Sequence, residues 1–204
     1  MSTNATPIRK GEPMPHKFDP KNIGRLDNPE RMKILPPKEI LLDLGLKSDN
    51  IMLDIGAGIG YFTFPATEIV GNSGKVVAVD TSKEMLKELQ SRVSQSCASN
   101  IEIVLSQEYD FPVNRSYFDF ALMSTVLHEI EDKPRFLKAA GSVLKKNGTL
   151  AVIEWIKRPM ERGPSVTDRI EVSEVEKLLV LSGFSEVKSW NYNEYFYLVV
   201  GQKS

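Results

Sequence analysis

The sequence predicts a doubly wound α/β fold, a seven-stranded and mostly parallel sheet closed by a C-terminal antiparallel hairpin. Three features lead there. Short β-branched or apolar runs alternate with stretches of helical periodicity. The first such run, Ile51-Met52-Leu53, reaches Asp54 and breaks into glycines at alternate positions, Gly56, Gly58 and Gly60. The chain then closes with two strand-like runs, 184–190 and 195–201, joined by the polar link 191–194.

The elements follow in order. Residues 1 to about 15 are polar and broken by Pro and Gly, as in a mobile tail. Asn28-Pro29 reads as an N-cap followed by proline at the first helical position, opening a helix to about Leu35. Pro36-Pro37 ends it and starts a second, whose stripe is Ile40, Leu41 and Leu44 and whose stop is Gly45. Residues 1–48 are thus expected to be an N-terminal extension and helical cover, and 49–204 the ligand-binding domain. After the glycine turn, 61–70 reads as a helix with Pro65 in its first turns. Lys75 to Val79 reads as a β-branched run, expected for a strand buried on both faces, and ends at Asp80. Thr81 and Glu84 have the spacing of a capping box for a helix carrying Leu86, Leu89 and Val93. Strands are expected at 101–105 and 118–123. Asp132 and Pro134 then open a helix with Phe136, Leu137, Ala140, Val143 and Leu144 on one face, ended by Asn147-Gly148. A fifth strand spans 149–153 and closes at Glu154-Trp155, and Ser173 and Glu176 cap a last helix stopped by Gly183.

Composition narrows the function. The chain has 204 residues and a net charge of −1 with both signs interspersed, so it shows no electrostatic footprint for nucleic acid. Its lone cysteine, Cys97, excludes an internal disulfide and a cysteine-built metal site, and no metal is expected. No apolar run has the roughly 18 residues that a membrane span requires, and the N-terminus lacks the apolar core of a signal peptide. A cytoplasmic, soluble protein with a small-molecule substrate is the expectation.

Ligands of doubly wound sheets bind outside the strand carboxyl ends, at the switch point. The glycine turn, Asp80, Gln107-Glu108 and Ser124-Thr125 all fall at such ends. Glycine leaves main-chain N–H groups and the positive helix end open to a ligand. The dinucleotide fingerprint needs its third glycine three residues after the second, but Tyr61 stands there. A P-loop is excluded, since no Gly-Lys-Ser/Thr follows. What matches is acid-x-Gly-x-Gly-x-Gly, carried by Asp54, Gly56, Gly58 and Gly60.

This pattern resembles the first motif of the class I S-adenosylmethionine (SAM) dependent methyltransferases. An acid at the end of the second strand, here Asp80, also matches, as do Phe111-Pro112 and Leu127-His128-Glu129. Lys145-Lys146-Asn147-Gly148 stands where the family often has Lys-Pro-Gly-Gly. The resemblance spans roughly residues 25–200 and is strongest to the type 11 branch, which includes the ubiquinone and menaquinone biosynthesis methyltransferases. It implies a Rossmann-like methyltransferase fold and a SAM cofactor along Asp54, Gly56, Ala57, Gly58, Gly60 and Tyr61. The ribose would lie on Asp80 beside Thr81, with Ser124 at the end of the fourth strand. The family's adenine-binding Asp lies twelve residues before the Asp of Phe118-Asp119, and that position is Gln107 here. A glutamine amide oxygen can accept from the adenine amino group, and so can neighbouring Glu108.

The implied reaction is an in-line methyl displacement, in which the protein contributes alignment and a base only if the acceptor must lose a proton. Of two histidines, His16 and His128, the second follows the fourth strand. It is either that base or substrate orienter, or a structural hydrogen-bonded histidine. Glu129 is either its neighbour at the site or a solvent-facing charge, and Tyr61 and Trp155 either line the pocket or pack on the sheet. A thiol-based metalloid methyltransferase is excluded by Cys97 standing alone. The alternative from another class is a non-catalytic SAM-binding or scaffold protein with the same fold. Two segments are candidates to shield the site, 16–35, which holds His16 and Phe18, and the Arg158 to Arg169 loop.

Overall fold

A computed structural model describes residues 28–204. Helices α1 (Pro29–Ile34) and α2 (Pro37–Asp43) precede strand β1 (Ile51–Ile55), helix α3 (Thr63–Val70), strand β2 (Lys75–Asp80), helix α4 (Lys83–Gln95) and strand β3 (Ile101–Leu105). After β4 (Phe118–Ser124) comes a 3₁₀ turn, Leu127–Glu129, then α5 (Lys133–Val143), β5 (Leu144–Trp155), α6 (Val172–Leu181), β6 (Phe184–Asn191) and β7 (Phe196–Lys203). One sheet has the order β3-β2-β1-β4-β5-β7-β6. Strands β1 to β5 pair in parallel, and β7 runs antiparallel between β5 and β6. The sheet winds outward from β1 through β2 to β3, then crosses back to β4 on β1's other side. The switch point therefore lies between β1 and β4.

The apolar strands bury both faces, with side chains alternating between them. On one face Met52, Val76, Phe120, Leu122, Ala151 and Leu198 pack with Ile40 and Leu41 of α2 and Ala66 and Val70 of α3. On the other, Leu53, Val77, Ala121, Met123, Val152 and Val199 meet Phe136, Leu137 and Ala140 of α5 and Val175 and Leu179 of α6. Asn28 caps α1, accepting from the Glu30 N–H, as its sequence indicated.

Several boundaries differ from the local pattern. Helix α3 begins at Thr63 rather than Tyr61, which stays in the glycine turn. The N-cap of α4 is Ser82, whose hydroxyl accepts from Met85 N–H, so Thr81 and Glu84 do not form a capping box. The shift follows from Asp80, which accepts the Ser82 N–H at 2.8 Å. Ser173 and Glu176 do not cap α6 either. The helix begins at Val172 after Glu171 without a side-chain cap, and Glu176 instead accepts the Ser189 hydroxyl of β6. Helix α5 ends before Asn147-Gly148. Leu144 already pairs with Phe118, the register then shifts, and Thr149 rejoins opposite Phe120. Asn147 (φ 62°) turns this irregular segment.

The loop between β5 and α6 is organised by Arg169, 2 % exposed. Its guanidinium donates to the carbonyls of Ile156, Arg158, Arg162 and Pro164. Arg162 reaches across to Glu30 of α1 at 2.6 Å, so the loop and the described part of the N-terminal segment are tied together. His16 and Phe18 lie outside the described residues. Replacing Arg169 by Ala strands several carbonyls at once and is expected to cost at least about 2 kcal/mol. Urea unfolding should show the loss, and hydrogen exchange should rise chiefly across 156–171.

Candidate active site

A cavity of about 360 Å³ opens at the carboxyl ends of β1, β2, β3 and β4. The glycine turn forms its floor. Gly56 and Ala57 donate their N–H groups to the Val79 carbonyl, which hooks the turn onto β2. Gly58 N–H donates to Asp80 Oδ2 at 2.9 Å while Ser82 N–H donates to Oδ1. Both oxygens of Asp80 are thus oriented by main chain, and each keeps accepting capacity toward the cavity it lines. Thr81, displaced from its expected capping role, also lines it.

Two glycines serve different ends. A Cβ on Gly56 (φ 70°) would lie 2.4 Å from Val126 Cγ2, so glycine lets the two walls of the cavity approach. A Cβ on Gly60 (φ 93°) would meet Leu89 and Phe64 at 2.6 and 2.8 Å. Gly60 is not among the cavity's walls, and its bareness serves the packing of α4 against α3.

Asp54 ends β1 at 3 % exposure and accepts the Thr63 hydroxyl at 2.7 Å. Burial pushes its carboxyl up to about 6, against the Thr63 hydrogen bond and with help from the Asp80 charge. Tyr61 lines the cavity, donates its hydroxyl to the Leu35 carbonyl, and lies under the Arg31 guanidinium, 4.0 Å from the ring centre. Burial pushes its phenol up to about 12, with Arg31 opposing. Gln107 and Asp110 exchange main-chain hydrogen bonds in a tight turn, which sets both Gln107 and Glu108 on the wall. At the end of β4, the buried Ser124 hydroxyl has no hydrogen-bond partner and its residue lines the cavity. Thr125 then takes φ 56°, a strained conformation for a β-branched residue.

His128 is absent from the cavity walls. It is buried behind them, where its N–H donates to Glu154 Oε1 and its Nδ1 to Glu154 Oε2 at 2.8 Å. Burial opposes its charge, but Glu154, aided by Glu129 and Asp168, holds its pKa above the ordinary 6.5. Glu129 does line the cavity. Trp155 does not, and packs on Phe196 instead. Sequence reasoning missed Arg31, Val126 and Glu154. The last was legible only as a carboxylate at the end of an otherwise apolar strand.

Among the described residues, the walls carry Asp54, Asp80, Glu84, Glu108 and Glu129 against the single cation Arg31. Such a field favours a positively charged ligand. No group of His, Cys, Asp and Glu among the described residues is placed to hold a metal ion.

This fold and crevice define the class of SAM-dependent methyltransferases. The chain is similar over 92 % of its length, and 100 % of the other's, to the crystal structure of a SAM dependent methyltransferase from Aquifex aeolicus, with a TM-score of 0.88 and 30 % identity. Phosphoethanolamine N-methyltransferase 2 of Haemonchus contortus, solved in complex with S-adenosyl-L-methionine, shares the fold with a TM-score of 0.74 at 14 % identity, over 91 % of this chain and 57 % of that one. Residues 38–200 match the ubiE/COQ5 methyltransferase family, and the chain belongs to that family. It is 31 % identical over 121 residues to the ubiquinone/menaquinone biosynthesis C-methyltransferase UbiE of Francisella philomiragia, covering 59 % of this chain and 48 % of that one. The chain spans about half the length of the curated relatives it matches.

The cofactor of the class is SAM, and the walls fit it. The cavity is acidic, as suits a cofactor that carries a sulfonium and an ammonium, the Ser124 hydroxyl has no hydrogen-bond partner, and Gly56 keeps space that a Cβ would fill.

Two outcomes test this geometry. The folded pKa of Asp54 lies above its unfolded value of 3.8, so the folded protein holds that proton more tightly. Its contribution to stability is therefore expected to fall by about 3 kcal/mol as pH rises from about 4 to about 6, and to stay low above. Asp54→Asn should stabilise the ligand-free protein at pH 8 more than at pH 4 in urea titrations; equal effects at both would contradict the assignment. Gly56→Ala should weaken S-adenosylhomocysteine binding at least about tenfold. Adding Val126→Ala should recover most of that if crowding, rather than the positive φ, is the cause.

Proposed function

We propose that this protein transfers a methyl group from SAM to a small aromatic acceptor, with carbon as the methylated atom. The observation that carries the reading is Asp80, whose two oxygens are aimed by Gly58 and Ser82 N–H groups at the rim of an acidic crevice. In this reading Asp80 holds the ribose hydroxyls beside Thr81. Gln107 or Glu108 accepts from the adenine amino group, and the turn 54–61 with Ser124 holds the methionine portion. Gly60 acts at one remove, by letting α4 pack beneath the turn. When bound, SAM supplies a methyl group on a sulfonium, whose sulfur keeps the bonding pair and leaves as the thioether of S-adenosylhomocysteine.

The chain's own residues align and shield. Tyr61, fixed through the Leu35 carbonyl and Arg31, forms one wall at the β1 end, and Val126 and Ile130 supply apolar surface beyond β4. Alignment and exclusion of water account for most of the rate in such a displacement. The acceptor class rests on the family and on the name of the UbiE relative. Near-neutral charge supports a small molecule over nucleic acid.

Titration calorimetry should show SAM and S-adenosylhomocysteine binding, with NAD weak or absent. Asp80→Ala is expected to cost about 1–3 kcal/mol of that binding by leaving polar partners unpaired. Incubation of cell extract with methyl-labelled SAM should then place label in a small-molecule aromatic fraction. Transfer chiefly to RNA would overturn the acceptor class, and binding with no transfer to any fraction would favour a scaffold.

A further inference from the structure

We infer that Glu129 is the residue that takes the acceptor's proton, and that His128 and Glu154 are positioning residues that act through it. This rests on the proposed methyl transfer and adds the group that completes it.

Geometry separates the two candidates. The strand ends divide the cavity, with Asp80 and Gln107-Glu108 over β2 and β3 and Glu129 beyond β4. With the adenosine on the former, the β4 side is left for the methyl group and its acceptor. Glu129 is on that wall with a side chain 22 % exposed, whereas the His128 side chain is 7 % exposed and lies behind it. His128 Nε2 stands 4.0 Å from Glu129 Oε1, within ion-pair range and beyond a direct hydrogen bond. Its other polar groups are committed to Glu154, whose side chain is 1 % exposed.

The chemistry agrees. The charged groups facing His128 are Glu154 from β5, Glu129 from its own turn and Asp168 from the loop before α6, with Tyr197 of β7 beside Glu154. Carboxylates on these sides raise the pKa of the imidazole against its burial and so favour the imidazolium, which has no lone pair to accept a proton. A deeply buried carboxylate–imidazolium pair is also weak evidence for stability, since apolar residues of the same volume often serve as well. Its placement against a crevice carboxylate gives it a use. The strained Thr125 at the start of this turn is the kind of outlier that collects at functional sites. The proton balance is simple. The acceptor's own electron pair forms the bond to the methyl carbon, the acceptor loses one proton to a Glu129 oxygen, and Glu129 passes it to water.

The test combines kinetics with a titration that needs no acceptor. The probe is 1,4-naphthoquinol, kept reduced, with methyl-labelled SAM. Glu129→Gln should lower kcat at least about 100-fold, with S-adenosylhomocysteine affinity by calorimetry within threefold. His128→Gln and Glu154→Gln should lower kcat less and move the acid limb of its pH profile upward, because Glu129 then lacks a neighbouring cation. A structural role alone would not move that limb. In parallel, proton NMR follows the His128 ring, assigned against His16 with His16→Gln, and its midpoint should fall in Glu129→Gln and fall further in Glu154→Gln. An unchanged kcat in Glu129→Gln or an unmoved acid limb in His128→Gln overturns the assignment. If the wild type does not methylate the quinol, the acceptor reading fails, and the NMR midpoints decide the pairing: a fall in Glu129→Gln supports it, no change overturns it.

Discussion

The carboxylate of Asp80 is the joint on which the site depends. One oxygen receives the Gly58 N–H of the turn after β1 and the other the Ser82 N–H that opens α4. A single side chain thereby sets the spacing between two adjacent strand–helix units and turns an oxygen pair toward the crevice. Asp80 thus fixes the far end of the glycine turn and the start of α4, while the Val79 carbonyl beside it holds Gly56 and Ala57. A charged acceptor suits the task because its hydrogen bonds to main-chain N–H groups are stronger than those of a neutral oxygen.

The crevice is electrostatically expensive when empty of a cation. Asp54 is ionised at neutral pH in a site that disfavours its charge, with Asp80 close by. Natural proteins retain such costs where function needs them. A ligand that carries positive charge offsets the repulsion on binding, so binding energy and local stability are linked through the same two carboxylates.

The far wall is assembled from parts remote in the chain. Helix α1 delivers Arg31 onto Tyr61, Asn193 donates to the Ile34 carbonyl at the end of α1, and Arg162 meets Glu30. The β5–α6 loop is in turn shaped by the buried Arg169. The Arg31–Tyr61 wall of the crevice is thus braced from behind by the loop that leaves β5, which does not itself line the cavity. These contacts are mostly polar and partly exposed, weaker individually than the sheet's apolar packing, which suits a boundary that a ligand must pass.

The sequence by itself determined the order of strands and helices, the glycine turn, Asp80, and the crevice they build. These features are local. A strand buried on both faces must be a run such as Lys75 to Val79, and a turn that hooks its N–H groups onto a neighbouring strand needs glycine where φ is positive, at Gly56 and Gly58. What only the tertiary structure decided involves partners far apart in the chain. Thr81 and Glu84 have the right spacing for a capping box, but Asp80 is already bonded to the next N–H, so Ser82 caps α4 instead. Gly60 was legible as part of the glycine pattern, but that its bareness also makes room for Leu89 of α4 was not. His128 was legible as a candidate, but its burial and the carboxylate that holds it were not. Glu154 is 26 residues away in sequence, and only the parallel pairing of β4 with β5 brings the two side chains together.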